Sequence, residues 1–106
     1  MLKEITPKEY ESLAAKDARV TLLDVREEWE LALARIEGAL HIPMGQVPDR
    51  LAELGQEATI VVMCHHGSRS ATVAGFLQQN GFVEVLNLAG GIDAWARDLD
   101  PNVPSY

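Results

Sequence analysis

The sequence is poor in cysteine, in aromatic residues and in positive charge. Cys64 is the single cysteine among 106 residues, so no internal disulfide can form and no multi-cysteine zinc site can be built. Nine lysines and arginines stand against sixteen acids, a formal charge of -7. Such a surface repels phosphate backbones and anionic lipid, which argues against nucleic acid and membrane as partners. Long apolar runs are also missing, so no helix long enough to span a bilayer is expected. The opening residues Met1 to Pro7 lack the apolar stretch of a secretory signal, and the expected location is cytoplasmic. Neither repeats nor low-complexity segments occur. What is present is the balance of a folded chain, 47% hydrophobic and 24% charged. The length suits one compact domain over residues 1–106, without separate cofactor and substrate domains. No cofactor and no metal are expected.

The local signals alternate between helix and strand. Thr6-Pro7-Lys8-Glu9 combines a cap, a proline at the first helical position and a glutamate that can bond back, so a helix is expected from 7 to about 16. Val20 to Val25 reads as a buried strand ending near Asp24, and Ala39 to Ile42 as a short strand stopped by Pro43. Helical composition runs from Glu27 to Ala34, with Trp29 and Leu33 one turn apart, and a short helix is expected from Val47 to Leu54. Thr59-Ile60-Val61-Val62-Met63 is nearly all apolar, as a central parallel strand covered on both faces should be. A helix is expected from Ser70 to Gln79, a strand from Glu84 to Leu88, and a last helix from Ile92 to Leu99 after Gly90-Gly91. The alternation predicts an α/β domain with a mainly parallel sheet and helices on both faces. Sites in such sheets lie at the carboxyl ends of strands. Two such ends carry chemistry: Asp24-Val25-Arg26, and the loop Cys64 to Ser70.

Cys64 follows the central strand directly, and His65, His66, Gly67, Ser68, Arg69 and Ser70 lead into a helix. A strand-to-helix loop aims several backbone N–H groups at one spot. Gly67 allows a tight bend, and Arg69 adds a full positive charge to the partial one of the helix end. A thiolate there is favoured over a thiol, so the pKa of Cys64 should fall below the free value of about 8.5. The plain alternative is a small buried hydrophobe, but the abrupt change from apolar residues to His, Gly, Ser and Arg is poor core material. His65 and His66 serve equally well as loop surface or as participants. Adjacent histidines do not converge on one metal as an i,i+4 pair does.

Four segments in register resemble the rhodanese family of sulfurtransferases. These are Leu23-Asp24-Val25-Arg26-Glu27, Ile36 to Pro43, Cys64 to Ser70, and Leu88-Ala89-Gly90-Gly91-Ile92-Asp93-Ala94-Trp95. Arg35 stands where many members have histidine. The resemblance implies a rhodanese-like fold of about five strands in the order 1-5-4-2-3, helices on both sides. It implies a donor such as thiosulfate charging Cys64 to a persulfide, and an acceptor such as cyanide, a thiol or a protein sulfur acceptor discharging it. A persulfide carrier or interaction module with little turnover is the competing expectation. A phosphatase or arsenate reductase is disfavoured, because four residues between Cys64 and Arg69 make a narrower cradle than the five of cysteine phosphatases.

Within this reading Cys64 is the nucleophile, and the amides from His65 to Arg69 are the expected donors to its persulfide. Arg69 has two equal roles open to it, a clamp for an anionic donor or a structural ion pair behind the loop. Ser70 can cap the helix or bond to the sulfur, with the cap expected. Asp24 and Arg26 support the wall, Arg26 pairing with Glu30 at i,i+4. Trp95 is expected in the core, and Gly90-Gly91 in a tight turn near the site. Residues 101–106 either pack back or remain free.

Overall fold

The computed structural model describes residues 2–106. In chain order its elements are β1 (Lys3–Ile5), α1 (Pro7–Lys16), β2 (Val20–Asp24), α2 (Glu28–Leu33), β3 (Leu40–His41), two 3-10 segments (Met44–Asp49 and Leu51–Glu53), β4 (Thr59–Met63), α3 (Ser68–Gln79), β5 (Glu84–Leu88) and α4 (Gly91–Asp98). Five strands form one sheet in the order β1-β5-β4-β2-β3. Every adjacent pair is parallel. The expected strand order and the helical layers are therefore those observed.

β4 lies at the centre because its composition leaves no face for water. Ile60, Val61, Val62 and Met63 are each fully buried. Alternate side chains serve opposite layers: Ile60 and Val62 join a cluster with Leu23, Val73, Leu77 and Val85, while Val61 and Met63 join another with Leu22, Leu88 and Ile92. Burying each such side chain contributes about 1.5–3 kcal/mol. The flanking elements follow their local signals. Thr6 caps α1 through a reciprocal pair, Glu9 N–H to Thr6 Oγ1 at 3.2 Å and Thr6 N–H to Glu9 Oε1 at 2.9 Å. β3 is two residues long, and the chain stays bonded to the end of β2 beyond it, through Ile42 N–H to Asp24 O and Met44 N–H to Val25 O, both at 3.0 Å.

Several expectations need correction. β1 carries only Ile5 as a buried side chain, so it has no periodic pattern from which a strand could be read. The helix expected over 47–54 is instead the pair of 3-10 segments, with Pro48 inside the first, where a missing N–H and a fixed φ work against α-helical bonding. Trp29 and Leu33 are 64% and 50% exposed, because the inward side of α2 is given to Glu30. Trp95 does pack against the cluster of Val61 and Met63 as expected, but it is only half-buried, its ring 5.5 Å from that of Tyr10. Arg35 lies outside the site and meets Glu37 on the surface at 3.9 Å.

Candidate active site

β4 delivers Cys64 to the carboxyl edge of the sheet, and α3 begins four residues later at Ser68. The turn is made by Gly67, the N-cap of α3, at φ +113°. The carbonyls of Cys64 and His65 point away from the turn and accept from Ile92 N–H at 2.9 Å and Asp93 N–H at 3.1 Å. That leaves the following amides free to face inward. Gly91 makes the close approach possible: a Cβ there would run into the carbonyl oxygens of Cys64 and His65, and its φ is +60°. The Gly90-Gly91 pair that opens α4 thus supports the thiol loop from behind.

Among the described residues, no N–H from 65 to 70 donates to a backbone carbonyl. The Gly67 N–H instead reaches Cys64 Sγ at 3.1 Å. Burial pushes the Cys64 thiol up, but the Ser70 hydroxyl and the amides of Ser70, Gly67 and His66 outweigh it, and the group sits below its ordinary value. The residue is only 1% exposed and touches the apolar cluster of one sheet face. Sequence reasoning expected the converging amides and missed the depth.

Ser70 is buried, and its Oγ lies 3.3 Å from Cys64 Sγ. It makes no cap; the cap position belongs to Gly67. Its hydroxyl also donates to Asn87 Oδ1. The Asn87 amide is fixed in that sense, because its Nδ2 donates to Gly67 O at 3.0 Å and to Glu4 Oε2 at 3.1 Å. One hydroxyl proton cannot serve two acceptors. With a neutral thiol, the S–H donates to Ser70 Oγ and Ser70 donates to Asn87. With a thiolate, the same hydroxyl turns to the sulfur.

Arg69 is gripped by Glu30 through both carboxylate oxygens, at 2.6 and 2.8 Å. Glu30 is 2% exposed. The Arg69 guanidinium, aided by the Glu27 amide and the Tyr106 hydroxyl, overcomes burial and holds the Glu30 carboxyl down at about 2. Burial opposes the Arg69 charge, but its bonds to Glu30 more than compensate and hold its pKa above the usual arginine value. The Arg26–Glu30 pair expected at i,i+4 is not formed between side chains. Arg26, fully buried, closes on Asp24 at 2.7 Å. Arg26 also reaches the backbone oxygen of Glu30 at 3.5 Å. The reason is geometric: Asp24 lies two residues back on the same strand end and also accepts the Arg26 N–H at 3.1 Å.

His65 stacks between His66 and Tyr106, with ring centroids 3.9 Å from each. Burial and the neighbouring His66 push its pKa down. Its Nε2 is enclosed without a partner. His65, His66 and Asp93 bring one ligand atom each within 4.8 Å of one another. The two histidine rings of this group are stacked at an interplanar angle of 27°. His66 and Ser68 are exposed, and neither side chain has a bond to the sulfur. The structure therefore gathers Cys64, Gly67, Arg69, Ser70 and His65, with Asp24 and Arg26 behind. Glu30, expected in the wall as the partner of Arg26, holds Arg69 instead, while Asn87 and Tyr106 complete the site and were not singled out for it from the sequence.

The fold is parallel α/β, and backbone and hydroxyl donors converge on one cysteine sulfur at the end of its central strand. The chain belongs to the rhodanese-like domain family, whose model matches residues 6–98. A sulfurtransferase of Allochromatium vinosum is 38% identical over 97 residues, covering 92% of this chain and 91% of that protein. YrkF of Bacillus subtilis, named as a candidate sulfur carrier protein, is 35% identical over 94 residues, which is 89% of this chain but only 51% of that one. A crystal structure of a rhodanese-like domain protein from Staphylococcus aureus has a TM-score of 0.84 at 31% identity and covers 99% of both chains. Among the described residues, no helix is long and apolar enough to cross a membrane.

Proposed function

We propose that this protein moves sulfane sulfur from an anionic donor such as thiosulfate to cyanide, a thiol or a protein sulfur acceptor through a persulfide on Cys64. The convergence of amides and the Ser70 hydroxyl on one sulfur carries this reading. The Cys64 thiolate attacks the outer sulfur of thiosulfate. The donor's S–S bond breaks and sulfite leaves with the electron pair. The acceptor then attacks the outer sulfur of the persulfide, and Cys64 departs as thiolate. Each half-reaction exchanges one bond for another and needs no outside oxidant, so ping-pong kinetics follow. The amides stabilise the sulfur anion in both steps, and a donor of this kind is worth about 3 kcal/mol of barrier. A cytoplasmic setting suits a lone free thiol.

The depth of Cys64, 1% exposed, favours a second reading in which the persulfide is carried rather than turned over quickly. One experiment separates the two. Pure protein is mixed with thiosulfate and its intact mass measured, and cyanide is then added. A gain of one sulfur, lost on cyanide with thiocyanate released over many cycles, supports the enzyme. Charging with negligible turnover on any acceptor supports the carrier. Cys64→Ser should take no sulfur while keeping its fold, and full activity in that variant ends both readings.

A further inference from the structure

Tyr106 lies in none of the four motif segments, yet it is wired into the site. Beyond α4 the chain turns back, Val103 enters an apolar cluster, and Tyr106 reaches the thiol loop. Its ring lies nearly parallel to His65, 5° between planes. Its hydroxyl is 2.7 Å from Glu30 Oε2 and 3.0 Å from Arg26 Nη1. The direction of these bonds is fixed. Arg26 offers only donors, so the phenol oxygen accepts from Arg26 and the O–H donates to Glu30. Burial and Glu30, working against Arg26, hold the phenol up at about 12, so it remains a neutral donor. One side chain therefore touches the loop at residue 65 directly and at residue 69 through a single carboxylate.

The consequence is electrostatic. Glu30 neutralises Arg69, whose side chain is 33% exposed. A hydrogen bond from Tyr106, backed by the Arg26 charge, takes up part of the Glu30 charge. Arg69 then keeps more of its own field for an approaching anion. We propose that Tyr106 is a positioning residue that, through Glu30, keeps Arg69 attractive to anions and so biases the site toward anionic sulfur donors. The donor part rests on the sulfurtransferase reading; the electrostatic part does not.

The test alkylates Cys64 with iodoacetate, which is anionic, and with iodoacetamide, which is neutral and of similar size. Both must reach the same sulfur, so the ratio of their rates cancels access. Tyr106→Phe keeps the ring against His65 and removes only the hydroxyl. Its iodoacetate-to-iodoacetamide ratio should fall about fivefold, with the iodoacetamide rate changed by less than about twofold. In turnover with thiosulfate the same variant should raise KM by a similar factor and leave kcat near wild type. An unchanged ratio, or an equal change with both reagents, overturns the proposal, because a merely structural role would not distinguish charge. Should the wild type show no turnover with thiosulfate, that donor is lost, while the alkylation ratio still decides the role of Tyr106.

Discussion

The ends of β2 and β4 lie side by side at one edge of the sheet, and both carry polar groups, but they are built oppositely. At the end of β2 every strong group is matched. Asp24 takes the Arg26 side chain and its N–H, and the Arg26 carbonyl meets His41 Nε2 at 2.6 Å. Nothing there is left to act on a ligand. At the end of β4 the amides of the loop find no carbonyl, and a sulfur sits where they point. The β2 end has more formal charge and less capacity for chemistry. Donors that find no carbonyl, held by a rigid frame, are available to a sulfur anion; charges that are already paired are not.

That contrast can be broken from either side. The largest expected effect is at the closed end. Asp24→Asn leaves Arg26 buried with no counter-charge, and urea unfolding should show a loss of about 3–5 kcal/mol. The thiol ionisation of the folded variant should be unchanged. A shift in thiol titration as large as the loss of stability would mean that the two ends are one unit.

Next comes the ion pair that joins α2 to the loop. Glu30 has its pKa held at about 2 against an ordinary 4.5. A depressed carboxyl stabilises the fold fully above its unfolded pKa and loses that contribution as pH falls through the folded one. Stability should therefore drop by about 3 kcal/mol between roughly pH 5 and pH 2, over and above the decline seen in Glu30→Gln. Parallel stability curves for the two proteins would show that the pair contributes nothing.

A smaller effect is expected at Ser70. Its hydroxyl must leave Asn87 to serve a thiolate, so only part of a hydrogen bond is gained on ionisation. Ser70→Ala should raise the thiol midpoint by about half a unit to one unit, read from thiolate absorbance. No change would leave the backbone amides as the sole stabilising donors and sharpen the comparison further.

The fold was largely legible because its signals are local. The apolar run Thr59–Met63, the capping box at Thr6 and Glu9, and the glycine-bounded loop after Cys64 each declare themselves within a few residues. β1 is three residues long and offers no period. The region 44–53 looks helical by composition, but Pro48 tightens it into 3-10 turns. The site was legible in its centre and hidden at its rim. Cys64, Gly67, Arg69 and Ser70 stand together in sequence. Glu30 and Arg69 are 39 residues apart, and Tyr106 lies 76 residues from Glu30, so no spacing rule joins them. Glu30 was visible only as a neighbour of Arg26 at helical distance, and the closer Asp24 won that contact. The depth of Cys64 was missed for a related reason: sequence shows which groups turn toward the sulfur, not how much of the sheet edge closes over it.

The most direct measurement is the pH titration of Cys64 followed by the ultraviolet absorbance of its thiolate, with Cys64→Ser as the blank. Burial and the loop donors pull this pKa in opposite directions, and the donors prevail in the structure. The midpoint should lie below that of an ordinary cysteine, about 8.5. A midpoint at or above that value would mean that burial wins, and the amides of His66, Gly67 and Ser70 would not be holding a thiolate.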